Sequence, residues 1–68
     1  MLLSYERFDI ARANKGMTLD DVARAGNTSK ATLWKVKAGR EIATMSAHRI
    51  ANALGVSVED LLEQRHDV

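Results

Sequence analysis

The chain contains no cysteine and no proline, and it has one tryptophan, one tyrosine and one phenylalanine among 68 residues. Without cysteine there is neither a disulfide framework nor a thiolate zinc site, so the fold must hold by packing. The missing proline and the scarcity of β-branched runs favour helices. No apolar stretch approaches the roughly 20 residues needed to span a bilayer. The start, Met1-Leu2-Leu3-Ser4-Tyr5-Glu6, lacks the basic and apolar regions of a signal peptide. A cytoplasmic protein is expected. The last shortage is local. From Val22 to Arg40 there is no Asp or Glu, whereas Arg24, Lys30, Lys35, Lys37 and Arg40 put a charge of +5 there. The whole chain sums to +1, so everything outside that window carries −4. A phosphate backbone rewards such a concentration, and the field steers association with duplex DNA.

An apolar fraction of 46% and a charged fraction of 28% are those of a globular protein. Sixty-eight residues make one domain, near the lower limit for a single core. That size leaves no room for a substrate pocket wrapped by loops, and no catalytic set is present. The acids fall mostly in helix first turns, where capping explains them. His48 and His66 have no companions at ligand spacing, so no metal is assigned. No enzyme activity, cofactor, small-molecule substrate or membrane partner is expected.

The pattern predicts five short helices, no strands and no internal repeat. Ser4 caps the first, whose Tyr5, Phe8 and Ala11 share a face, and Gly16 ends it. Thr18, with Asp21 three residues on, is a capping-box variant opening the second, which carries Leu19, Val22 and Ala23 inward. Gly26-Asn27 ends that helix. Thr28 or Ser29 caps the third, where Leu33 and Val36 face inward and Lys30, Ala31, Lys35 and Ala38 outward, before Gly39. Arg40 to Ala43 is a connector. Thr44 caps a fourth helix with Met45, His48, Ile50, Ala51 and Leu54, broken by Gly55. Ser57 caps a fifth, Val58 to Gln64, with Leu61 and Leu62 facing the core. The domain is thus 1–64, with 65–68 a frayed tail.

The strings Gly16-Met17-Thr18-Leu19-Asp20-Asp21-Val22-Ala23, Asn27-Thr28-Ser29-Lys30-Ala31-Thr32-Leu33 and Val36-Lys37-Ala38-Gly39 resemble the lambda-repressor-like (XRE-type, Cro-type) helix-turn-helix family. The closing string Ile50-Ala51-Asn52-Ala53-Leu54-Gly55-Val56-Ser57-Val58-Glu59-Asp60-Leu61-Leu62 resembles its fourth and fifth helices. The likeness runs over about residues 5 to 63. It implies an all-α, compact five-helix DNA-binding domain with the helix-turn-helix at helices two and three. It also implies a homodimer reading a two-fold operator in double-stranded DNA. Lys30, Ala31, Thr32 and Lys35 match the family's base-facing positions; Lys30 and Lys35 suit guanine O6 or N7, and Thr32 a thymine methyl.

Asn14, Lys15 and Arg40 flank the motif and suit either phosphate clamping or a solvated role. Thr18 caps a helix whose N-terminal amides attract phosphate, and the capping hydroxyl of Ser29 can meet one too. The chain departs from the family where Leu19 replaces a frequent glutamine. It departs again where Lys37 replaces a glutamate that pairs with an arginine at the position of Arg12. Lys37 is therefore expected to turn to solvent or DNA, and Arg12 to Asp9 or an acid of the fifth helix. Trp34 either packs over the first helix or the connector, or borders DNA or a partner protein. Val58, Leu61 and Leu62, extended by the tail to Val68, form the expected pairing surface, with Ile10 as a second. The implied function is a sequence-specific transcription regulator, a small phage or mobile-element repressor. The alternative is an antitoxin or anti-repressor whose main partner is another protein.

Overall fold

A helix begins wherever a hydroxyl can take over an amide that the first turn leaves unpaired, and this chain uses that device repeatedly. In the computed structural model, which describes residues 1–62, the helices are α1 (Tyr5–Lys15), α2 (Leu19–Gly26), α3 (Lys30–Lys37), α4 (Thr44–Leu54) and α5 (Val58–Leu61). The hydroxyls of Ser4, Thr18, Ser29 and Ser57 accept from the amides of Arg7, Asp21, Thr32 and Asp60. At Thr18 and Ser57 the device is reciprocal, because Asp21 and Asp60 accept from the cap residue's own N–H. Gly16 and Gly55 close α1 and α4 in the left-handed conformation, and Asn27 does the same for α2 at φ 52°.

Two boundaries differ from the expectation. Thr44 is not a cap: it is the first helical residue of α4, and extended Ala43 precedes it with no side-chain cap. The cause lies one residue earlier. The amide of Ile42 donates to the Met1 carbonyl at 2.9 Å, and the Met1 ammonium donates to the Ile42 carbonyl at 2.8 Å. With Ile42 pinned and its side chain buried, Ala43 is left to supply the first helical carbonyl, to Ala47 N–H. Likewise α5 stops at Leu61 rather than Gln64. Leu62 turns extended and forms an antiparallel bridge with Leu3, while Ser4 N–H donates to Leu61 O at 2.8 Å. Residues 63–68, including Gln64, His66 and the tail to Val68, lie outside the described residues.

The core joins Leu3, Phe8, Val22, Leu33, Val36, Ile42, Ala47, Ile50, Ala51, Leu54 and Leu61. On α4, Ile50, Ala51 and Leu54 face this core, whereas Met45 is 60% exposed and His48 is exposed. Gly26 is helical, and its missing side chain matters. A Cβ there would stand 2.8 Å from the Arg49 carbonyl oxygen, so glycine lets α2 press against α4. Arg12 fastens the other end of α2. Its guanidinium donates to Asp9 Oδ1 at 2.5 Å and to the Met17 carbonyl at 2.8 Å, one residue before the α2 cap. This is the Asp9 partner expected for Arg12. Held at both ends, α2 is the platform on which α3 is carried.

Candidate nucleic-acid interface

α3 is eight residues long and buries only Leu33 and Val36. At 3.6 residues per turn, Ala31 and Ala38 stand about 170° from that inward direction. Trp34 and Lys35 flank them on either side, each about 130° away, with Lys30 at about 90° and Thr32 and Lys37 at about 70°. The outward face is therefore a strip of small residues edged by an indole and an ammonium. Lys35 is exposed on it, as expected. Thr32 is half-buried, and its hydroxyl lies 3.1 Å from that of Ser29, so its methyl is the part that remains to meet a ligand.

Cations border the strip on several sides. Lys30 Nζ sits 2.6 Å from Asp20 Oδ1, tying α3 to the first turn of α2. Lys37 lies with its ammonium 4.7 Å from the centre of the Trp34 ring. Arg40 is exposed just past Gly39, its N–H donating to the Lys35 carbonyl. Thr18 is exposed at the cap of α2, and Asn14 is exposed near the end of α1. Lys15 is drawn to α4: its ammonium lies 3.2 Å from where a Cβ on Gly55 would be. The Asp21 carboxyl is held below the usual aspartate range by the backbone N–H and then the hydroxyl of Thr18, with Arg24 adding a smaller pull.

Trp34 does not go under cover. It is 55% exposed and lines, with Thr18, Leu19, Asp20, Lys30 and Leu33, an open groove of about 330 Å³ between α2 and α3. Leu33 and Val36 carried the signal for this, since Trp34 stands as far from them around the helix as Lys35 does. The Asp20–Lys30 pair had no such signal, because its partners are joined only by the fold of the turn. The expected pairing surface also changes. Leu61 is fully buried in its own protomer, whereas Val58 and Leu62 pack half-buried against the core. Ile10, the second expected pairing residue, is 55% exposed, and the tail to Val68 lies outside the described residues.

Among the described residues no helix is long and apolar enough to cross a membrane. A family model described as a Cro/C1-type HTH DNA-binding domain matches residues 7–67. No curated protein matches the chain.

Proposed function

The chain belongs to the Cro/C1-type HTH DNA-binding domain family, and we propose that it is a small Cro-like repressor of a phage or mobile element. Membership makes it a DNA-binding transcription regulator. The finer reading is a homodimer in which α3 of each protomer enters the major groove, the two half-sites lying about one helical turn, roughly 34 Å, apart. Occupying such an operator where it overlaps a promoter keeps polymerase off, so the mechanism is steric, and the protein works in the compartment that holds the DNA.

One observation carries this reading. The outward face of α3 lies within a 19-residue window, 22–40, that holds five cations and no acid, in a chain of net charge +1. Lys30, Ala31, Thr32 and Lys35 are assigned to bases, and Asn14, Lys15, Thr18, Ser29, Lys37 and Arg40 to phosphates. A lone α3 buries too little surface to select one site in a genome, which favours pairing.

Selection of bound duplexes from a random pool at physiological salt tests the reading. The expected product is one two-fold sequence, on which sedimentation finds two protomers. Recovery of no preferred sequence would remove the repressor reading, and a strict monomer that binds one half-site as well as two would remove the dimer.

A further inference from the structure

We propose that Trp34 reads DNA directly, its indole lying in the major groove against the C5-methyl of a thymine. This rests on the assignment of α3 to the groove. Three observations carry it. Trp34 is one of the largest apolar side chains in the molecule, yet it is 55% exposed in the middle of α3. Around the helix it mirrors Lys35, with Ala31 and Ala38 between them too small to hold a DNA surface away. Lys37 covers part of the ring from 4.7 Å, which steadies the indole while keeping a cation beside it for a phosphate.

The chemistry of the groove selects the target. Guanine and adenine edges present acceptors and donors there, and cytosine a donor beside a bare C5–H, so an apolar ring laid on them would strand polar groups. The thymine methyl is the one apolar feature of the major-groove edge, and it matches the ring. Lys35 then reads an acceptor on one side of the alanine strip while Trp34 reads a methyl on the other. Cations around the ring also favour a polyanion over an apolar protein surface as its cover.

The single tryptophan makes the test direct. The full chain is titrated with the duplex recovered from the random pool, binding is followed by anisotropy of a labelled strand, and acrylamide quenching of Trp34 is measured. Quenching should fall several-fold at saturation. Replacing one thymine in a single half-site by uracil should weaken wild-type binding about fourfold, the worth of burying one methyl, and replacing one in each half-site about 15-fold. Both should leave Trp34→Ala, whose far-ultraviolet dichroism is checked first, unaffected. A duplex that binds while Trp34 stays as accessible as before overturns this proposal alone. So does a set of uracil duplexes on which the two proteins lose affinity alike. Failure to bind any duplex overturns the groove assignment of α3 together with it.

Discussion

The Lys30 ammonium lies 2.6 Å from Asp20 Oδ1, so a cation assigned to DNA is held by an acid on the neighbouring helix. Both side chains are more than half exposed, at 64% and 54%, and a pair so placed contributes little to stability. Its effect falls on binding, where Asp20 restrains Lys30 and repels phosphate. Asp20→Ala should lower stability by no more than about 1–2 kcal/mol, counting the loss at the α2 dipole. It should tighten binding to every duplex by removing a repelling charge, and to the selected duplex most, because Lys30 is released to its base. Anisotropy titrations check this, and unchanged or weaker affinity would place Lys30 away from DNA.

Phosphate and base contacts separate by their salt and sequence dependence. Log affinity should fall linearly with log salt by roughly 0.9 per phosphate neutralised. Lys37→Ala and Arg40→Ala should weaken selected and random duplexes together and flatten that slope. Lys35→Ala should cost on the order of 1–3 kcal/mol on the selected duplex and relax preference at one base pair. Equal losses on every sequence would move Lys35 out of the base-reading set.

The packing that carries α3 is testable without DNA. Leu33→Ala and Leu54→Ala empty fully enclosed positions and should each cost roughly 2–5 kcal/mol. Gly26→Ala adds a single methyl against the Arg49 carbonyl and should cost about 1–3 kcal/mol as α2 is pushed from α4. Urea melts of the three variants measure both. A Gly26→Ala protein as stable as the parent would show that α2 and α4 lie further apart.

Acid should act through the α2 cap. Hydrogen bonds from Thr18 hold the Asp21 carboxyl below its usual value, so its ionised form is favoured by folding. That contribution is complete above the unfolded value near 3.9 and is lost as pH falls below it through the folded value. Asp21→Asn should therefore be less stable than wild type at neutral pH, with the gap closing below about pH 4. Melting curves that stay parallel across that range would rule the cap out as a source of acid sensitivity.

Much of the fold is legible locally because the caps and stops act over three or four residues. Thr18 and Ser57 start helices where the spacing of hydroxyl and acid places them, Ser4 caps by its hydroxyl alone, and Ser29 rather than Thr28 caps α3. Phe8, Val22, Leu33 and Val36 are buried as their periodicity requires. What escaped are contacts between distant parts of the chain. Leu3 meets Leu62, and Met1 meets Ile42, with no periodic run around either to signal a buried residue. Those pairings shift the start of α4 and cut α5 short. Within α1, Arg12 finding Asp9 followed from their spacing, whereas at the candidate interface Lys30 meeting Asp20 depended on the angle between two helices.

With α3 in the groove as proposed, its outward face should report the arrival of DNA. Amide spectra of the uniformly 15N-labelled full chain, titrated with the duplex selected from the random pool, test it residue by residue. The largest shift changes are expected in residues 28–40 and around the α2 cap at Thr18 to Asp20. Shifts confined to α1 or α5, with the amides of α3 unmoved on a duplex that binds, would contradict the proposal.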